Sequence, residues 1–266
     1  MNLGSPWYNY PQPNFGGQIP RPVMGRLTAE EAAAIAGFDI KQAIDWVQYD
    51  TTYYVAGTAV PTAERKFFSV PINGIDTLGN NAAVSFTKTE MATNMQLGGQ
   101  LPRGTTLFIE SMQAQVTIPG NLDSTLQSTG NTTLPLVTGT AVGADTTHAG
   151  VLLGNIYSAI AKGGVITLHI GNKDFERGPI EQFPSEFGGS GFNSMLQAGT
   201  SVATSIPLND GIINNGFGFA RNFRQPRQLI NGQNFSVGLK WLNAFNPSRN
   251  FDVTICLRGI LFEDVS

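Results

Sequence analysis

The 266-residue sequence predicts an all-β sandwich that follows an extended N-terminal arm and one or two short helices. From about residue 51 onward, apolar and polar residues alternate with a period of two, which is typical of strands with one buried face. Clusters of Gly, Asn and Pro separate these runs. The helices that would connect parallel strands are missing from the pattern, so we expect antiparallel pairing.

Residues 1–26 predict the extended arm. Pro and Gly are frequent there, which disfavours a helix, and aromatic side chains offer contacts to another protein surface. A polyproline-like chain of this length spans roughly 80 Å, further than a domain of this size is wide. We therefore predict that the arm contacts a neighbouring subunit, and the alternative is a disordered tail. The predicted contact residues are Trp7, Tyr8, Tyr10 and Phe15.

Residues 27–50 predict a short helical segment. Thr28 and Glu31 have the spacing of a capping box, and alanines follow as far as Gly37, where the first helix should end. Asp39 and Gln42 repeat the capping arrangement and indicate a second helix that lies on the sheet. Its apolar face would consist of Ile40, Ala43, Ile44 and Val47.

Residues 51–266 predict the sandwich domain, and three of its strands have strong alternation. Residues 105–118 and 235–241 are two of them, and the third runs from Phe251 to Leu261. In the first of these strands one face should hold Phe108, Met112, Ala114, Val116 and Ile118, with Glu110 as the only polar residue on that face. Weaker strand patterns occur at 51–57, 66–73, 82–88, 134–142, 164–171 and 201–206.

Loop lengths favour a Greek-key or jelly-roll sandwich. Connections at 119–133 and 172–200 are long while others are short, and no repeat with a fixed period occurs, which disfavours a propeller. A Ser-, Thr- and Gly-rich loop at about 119–150 should lie at one end of the sandwich. The sequence leaves open whether there are one or two jelly rolls.

The scarcity of charge indicates that much of the surface is covered by protein. Charged residues make up 13% of the chain, compared with about 25% in ordinary globular proteins, and Asn, Gln, Thr, Ser and Gly replace them. Interface cores are depleted of Lys, Glu and Asp in the same way. A net charge of −3 argues against nucleic acid as the main partner, and the arm has only two basic residues, Arg21 and Arg26.

No pattern in the sequence predicts an enzyme, a cofactor or a metal site. The two histidines are His148, in the predicted loop, and His169, which alternates within a strand pattern. The stretch at 188–192, GGSGF, ends in Phe and lacks the following helix that a serine nucleophile turn requires. The lone Cys256 lies in a strand pattern and cannot form an intramolecular disulfide. We therefore expect no catalytic residues.

A basic cluster in the sequence FARNFRQPRQ is a candidate contact to another subunit. It consists of Arg221, Arg224 and Arg227, interleaved with Phe219 and Phe223. Arginine next to aromatic residues suits subunit interfaces, nucleic acid or lipid head groups. A solvated loop that leads into the next strand is the alternative.

The last third of the chain resembles the jelly-roll coat proteins of tailless icosahedral bacteriophages. The resemblance rests on GGVITLHIGNKDFERGPIEQFPS, RQPRQLINGQNFSVGLKWLN and FDVTICLRGILFEDV, with an Asn231-Gly232 turn before a long strand and a last strand at the C-terminus. It implies a capsid subunit but assigns no residue a role. A carbohydrate-binding or adhesive β-sandwich and a virion tail or fibre component are the alternatives.

The predicted partners are copies of the chain itself, together with other virion proteins, and no sequence-specific nucleic acid. The N-terminal residues have neither the basic region nor the apolar run of a secretory signal, and no stretch has the length of a membrane span. We expect a protein made in a host cytoplasm and located in the virion. The sequence does not determine whether it contacts a membrane.

Overall fold

The computed structural model describes residues 28–37, 39, 42–118, 160–161, 163–185, 190–192, 211–213, 222–247 and 250–263, and for 190–192, 211–213 and 224 only the backbone. These residues include the α-helix Ala29–Ala36, a 3-10 helix at Ile180–Gln182, helical residues at 160–161 and 163, and twelve strands. In chain order they are α1 (Ala29–Ala36), β1 (Ala43–Tyr54), β2 (Arg65–Phe67), β3 (Ile75–Leu78), β4 (Asn81–Thr87), β5 (Thr105–Ile118), β6 (Gly164–Ile170), β7 (Lys173–Pro179), β8 (Ser190–Phe192), β9 (Gly211–Ile213), β10 (Asn222–Ile230), β11 (Phe235–Trp241) and β12 (Phe251–Glu263). No helix in this part of the chain is long and apolar enough to cross a membrane.

The strands build two antiparallel sheets and a separate hairpin, which confirms the all-β prediction. The larger sheet has the order β1-β12-β5-β9-β8, and β10 also pairs with β5; the smaller has the order β2-β11-β6-β7, and β3 and β4 form the hairpin. Four of the antiparallel pairs are nested along the chain: β1 with β12, β2 with β11, β5 with β10, and β6 with β7.

One apolar core lies between the two sheets. The alternating residues of β5 and β12 enter it from the larger sheet, and those of β6 and β11 enter it from the smaller one. Aromatic rings pack at one place in this core: the ring of Tyr54 stacks on Phe251 with centroids 4.5 Å apart and meets Trp241 edge-on at 5.2 Å. The core therefore joins the first strand to the last two.

Helix α1 forms as its capping box predicts. The Thr28 hydroxyl accepts a hydrogen bond from the Glu31 amide, and the Glu31 side chain accepts one from the Thr28 amide. The helix ends at Gly37, which has a φ of 75°. Ala32 and Ala33 pack on Phe108, Ile260 and Phe262, on the face of the larger sheet that points away from the main core.

The prediction of a second helix is wrong. The local cap does form, because the Asp39 amide donates to the Gln42 side chain, but Ala43 begins β1 instead of a helix. All twelve residues of β1 pair with β12, from Ala43 opposite Phe262 to Tyr54 opposite Phe251. This long pairing, in a segment rich in Thr, Tyr, Trp and Val, outweighs the helical spacing of four apolar residues.

The predicted face of β5 is wrong at one residue. Glu110 is an extra residue in the ladder, because Ser111 pairs with Arg258 whereas Ile109 pairs with the next residue, Gly259. Residues after the bulge face the core as predicted, but Phe108 lies on the opposite face, against Phe262. Before the bulge, Leu107 and Ile109 face the core instead.

The three strong strand patterns are confirmed as β5, β11 and β12, and the patterns at 82–88 and 164–171 match β4 and β6 closely. The pattern at 66–73 corresponds only to the short β2, and 51–57 is the end of β1. Strands β3, β7, β8, β9 and β10 were not predicted. The patterns at 134–142 and 201–206, the predicted arm and the loop at about 119–150 lie outside the described residues.

Candidate functional site

Of the seven predicted contact residues, the structure describes the side chain of Arg227 alone. Trp7, Tyr8, Tyr10, Phe15 and Arg221 lie outside the described residues, and Arg224 is described by its position in β10. Their role as a subunit contact stays a prediction.

Arg227 connects the two sheets within the chain. Its Nη2 lies 3.2 Å from Glu176 Oε1, and its guanidinium carbon lies 5.2 Å from the centroid of the Phe175 ring. Arg227 belongs to β10 of the larger sheet, whereas Phe175 and Glu176 belong to β7 of the smaller one. The guanidinium thus joins the sheets where β7 forms an edge, a contact that sequence reasoning missed.

A charged groove lies on the outer face of the smaller sheet. Its floor is made by the residues of β6 and β11 that alternate with the core residues. The groove has a volume of about 340 Å³ and adjoins a second of about 160 Å³. Glu64, His169 and Asp174 line both grooves. Lys66 lines the larger groove, and Arg177 and Lys240 line the smaller one.

His169 lies between two carboxylates in this groove. Its Nδ1 is 2.7 Å from Asp174 Oδ1, and its Nε2 is 3.6 Å from Glu64 Oε1. The Glu64 carboxylate rests on the strand where Gly238 has no side chain, since a Cβ there would lie 2.5 Å from Glu64 Cδ. The histidine is in strand β6, as predicted, and a carboxylate lies on each side of its ring.

The groove has the residue types of a hydrolytic triad without its geometry. Ser236 is directly opposite His169 in the sheet. A triad requires a hydrogen bond between the serine hydroxyl and the imidazole Nε2, but this Nε2 has no hydrogen-bond partner and faces Glu64. The arrangement is therefore a cluster of charged and polar side chains in which the serine and the histidine are not joined by the hydrogen bond of a triad.

A second candidate surface is the β3–β4 hairpin, which is uncharged along β4. The sequence of β4 is NAAVSFT, and five of its seven residues are exposed. Ile75 on β3 is 74% exposed. Within the described residues β4 pairs with β3 alone, so its other edge is open. Natural proteins protect such edges with charge or proline, which this strand lacks.

A third cluster is a chain of four charges that begins on β1, three of them buried and the fourth, Arg65, half-buried. Asp50 is fully buried and contacts the ammonium of Lys88, which is 1% exposed. The Lys88 Nζ also lies 3.2 Å from Asp76 Oδ2, and Asp76 in turn contacts the Arg65 guanidinium. The signs alternate, so every charge has a partner of opposite sign. Sequence reasoning singled out none of these residues.

No family model matches the chain, and no curated protein matches it either. Among the described residues no group of three His, Cys, Asp or Glu side chains is arranged to hold a metal ion.

The face of the larger sheet that points away from the core carries two side chains with raised pKa values. Burial raises the pKa of the Cys256 thiol to about 11, so the thiol is protonated at neutral pH. Burial also raises the pKa of the Asp252 carboxyl to about 6, although a hydrogen bond from Thr117 opposes the effect.

We expect the Asp252→Asn variant to be more stable than the wild type at pH 7, by about 2 kcal/mol. The carboxyl binds its proton more tightly in the folded chain than in the unfolded one, whose pKa is 3.8. The favourable contribution is therefore complete below pH 3.8 and is lost as the pH rises through about 6. Urea unfolding between pH 4 and pH 7 measures it.

The matched control for this variant is Asp45→Asn, at an exposed position of β1. It should keep the wild-type slope of stability against pH, whereas Asp252→Asn should flatten it. Equal slopes for the wild type and Asp252→Asn would show that Asp252 titrates normally.

Proposed function

We propose that the chain is a structural subunit of a virus capsid, made in a host cytoplasm, that assembles into an icosahedral shell through β-sandwich packing and an N-terminal arm. The observation that carries the proposal is the nested pairing of eight strands. Each pair encloses the next: β1 with β12, then β2 with β11, β5 with β10, and β6 with β7.

Nested pairs of this kind support a single jelly roll. They describe one long two-stranded ribbon that is rolled up, so that successive pairs alternate between two sheets. The observed orders β1-β12-β5-β10 and β2-β11-β6-β7 fit this scheme, with β3–β4 as an insertion. Jelly rolls occur in viral capsid proteins and in lectins, so the fold alone does not distinguish these functions and the properties of the surface must do so.

The distribution of charge over the surface supports a subunit with several different contacts. The groove on the smaller sheet concentrates both signs of charge, which suits a complementary protein surface. The β3–β4 hairpin exposes uncharged and apolar residues along β4, whose outer edge has no partner strand in the described part of the chain. A subunit of a closed shell needs several interfaces, and interface cores are depleted of charge in the way that β4 is.

The alternative of a carbohydrate-binding sandwich receives less support from the described aromatic residues. Sugar binding would use exposed rings, but Trp241 is buried in the core, and the half-buried Trp46 donates its indole N–H to Gln48. Trp7 is the remaining tryptophan and belongs to the arm. A virion tail or fibre component shares the logic of self-assembly and differs in symmetry.

Mass photometry on three purified chains tests the proposal. These are the full-length chain, a chain without residues 1–26, and a full-length chain with Trp7, Tyr8, Tyr10 and Phe15 changed to serine. We expect large assemblies from the first and at least about tenfold fewer from the other two, because the loss of four aromatic side chains from an interface costs several kcal/mol. The serine variant keeps the length of the arm, so it distinguishes the effect of the aromatic side chains from the effect of arm length.

Electron microscopy of the same samples distinguishes the alternatives by symmetry. Closed shells support the capsid proposal, whereas rods or fibres would assign the chain to a tail or fibre. A full-length chain that stays monomeric at high concentration and varied salt would contradict self-assembly, and a glycan array would then test the carbohydrate alternative.

A further inference from the structure

We propose that Lys88 and Asp50 become joined by an amide bond that forms spontaneously inside the folded chain, with Asp76 transferring the proton. The bond would be an intramolecular cross-link between β1 and the end of the β3–β4 hairpin. It is independent of the function proposed above, and its test does not require assembly.

The structure places the nucleophile against the electrophile in a water-excluded site. The Lys88 ammonium contacts Asp50 Oδ1, and both residues are at most 1% exposed. A reaction between two groups held in contact has an effective concentration far above any concentration in solution. Exclusion of bulk water also protects the product amide from hydrolysis.

A backbone amide is aimed at the other oxygen of the same carboxyl group. The Phe68 N–H donates to Asp50 Oδ2 at 2.6 Å, in a fully buried position. Phe68 has a φ of 65°, a left-handed conformation that is unfavourable for a bulky residue. The donor can stabilise the negative charge that develops on Oδ2 when an amine attacks the carboxyl carbon.

The burial of Asp50 favours the protonation state that the reaction needs. Burial raises the pKa of the Asp50 carboxyl, and the neighbouring Lys88 opposes this effect without reversing it. In a medium of low dielectric constant, a neutral acid beside a neutral amine competes with the ion pair. The proposed reaction begins with one proton transfer from Nζ to Oδ1, which are in contact, and this transfer gives a carboxylic acid and a free amine.

Asp76 is positioned to move the remaining proton. Its Oδ2 lies 3.2 Å from the Lys88 Nζ, while its Oδ1 accepts from the Thr77 amide at 2.8 Å and contacts the Arg65 guanidinium. The Oδ2 is thus the carboxylate oxygen that faces the amine. It has the geometry of a general base.

The reaction releases one water molecule and needs no oxidant or cofactor. The Nζ lone pair attacks Asp50 Cγ, forming the N–C bond and placing negative charge on Oδ2. Asp76 takes a proton from Nζ and passes it to the Oδ1 hydroxyl, whose bond to Cγ breaks as water leaves and the C=O bond of Oδ2 re-forms. Asp76 ends as it began, and its pairing with Arg65 leaves the product site without an unpaired charge.

Intact mass under denaturing conditions tests the bond directly. We expect the purified wild-type chain to be about 18 Da lighter than its sequence, the mass of one water lost in the condensation. Trypsin should then yield a branched peptide in which residues 42–65 are attached to residues 67–103, because an acylated Lys88 is not cleaved. The sequence mass, or a water loss confined to one unbranched peptide, would overturn the proposal.

Three variants with checked circular dichroism assign the roles. Lys88→Arg keeps the positive charge and should restore the full sequence mass, whereas Lys66→Arg, at an exposed position of β2, should retain the loss. Asp76→Asn should slow the loss of water at least about 100-fold, the usual contribution of a general base. Bond formation at an unchanged rate in Asp76→Asn would overturn the role of Asp76. A mass loss that persists in Lys88→Arg would overturn the assignment of the bond.

Discussion

Replacing Gly259 with alanine should strongly destabilise the fold. A Cβ at Gly259 would lie 1.7 Å from the carbonyl oxygen of Phe108 and 2.8 Å from its carbonyl carbon. Both atoms belong to the backbone of β5 at its bulge, so no side-chain rotation relieves the clash. We expect a loss of about 4 kcal/mol or more, measured as the free energy of unfolding in urea.

Gly163→Ala is the matched control for this prediction. A Cβ there would meet its nearest neighbour, a carbon of the Trp241 ring, at 3.6 Å, which is an ordinary van der Waals contact. Its stability should change by less than about 1 kcal/mol. If both variants unfold at the same urea concentration, the bulge does not hold β5 against β12 in the way described.

The same bulge limits what alternation in the sequence could predict. The period of two identifies β5 and β12 as strands, because each buries one face along its whole length. The extra residue of the bulge shifts the alternation by one position, so the residues before it face the core with the opposite phase from the residues after it. In the sequence, Glu110 looks like a single polar residue on an apolar face, although it marks this shift. Two apolar residues with the opposite phase, Leu107 and Ile109, are the signal that could have revealed it.

Long-range pairing explains the error at the start of β1. A capping contact between Asp39 and Gln42 forms as the sequence predicts, so the local signal was correct. The conformation of the following residues is decided by β12, which lies about 200 residues further along the chain. A sequence window of ten or fifteen residues contains no information on that partner.

Edge position explains the strands that were missed. The sequence of β7, KDFERGP, is charged, and that of β10, NFRQPRQLI, contains a proline within an irregular part of its pairing with β5. In the described part of the chain each of these strands pairs with one partner, so charge and proline are tolerated. The same features made both segments resemble loops in the sequence.

The buried charge cluster could not be assembled from sequence, because its four members come from separate segments. Arg65 and Asp76 belong to β2 and β3, and Lys88 follows β4. A weak signal did exist: Asp50 and Lys88 are charges inside runs of otherwise uncharged, strand-forming residues. A charge in such a run needs a buried partner, although the sequence does not say which one.

Replacing Lys88 and Asp50 together should cost less than the sum of the costs of replacing each of them alone. In Lys88→Met, the carboxylates of Asp50 and Asp76 lose the ammonium that separates them, so we expect a loss of about 3–5 kcal/mol in the free energy of unfolding. In the double variant Asp50→Asn/Lys88→Met one of these buried negative charges is gone. Its loss should be about 1–3 kcal/mol smaller than the sum of the two single losses.

Urea unfolding of the wild type, both single variants and the double variant measures this coupling. Lys173→Met, at an exposed position of β7, is the control and should change stability by less than about 0.5 kcal/mol. Strictly additive losses would mean that Asp50 and Lys88 stabilise the fold independently, against the contact described here. An ion pair and an amide bond would both produce such a coupling, because each single substitution abolishes whichever of them is present. The intact mass of the wild type distinguishes them, since formation of the amide bond removes one water molecule and formation of an ion pair does not.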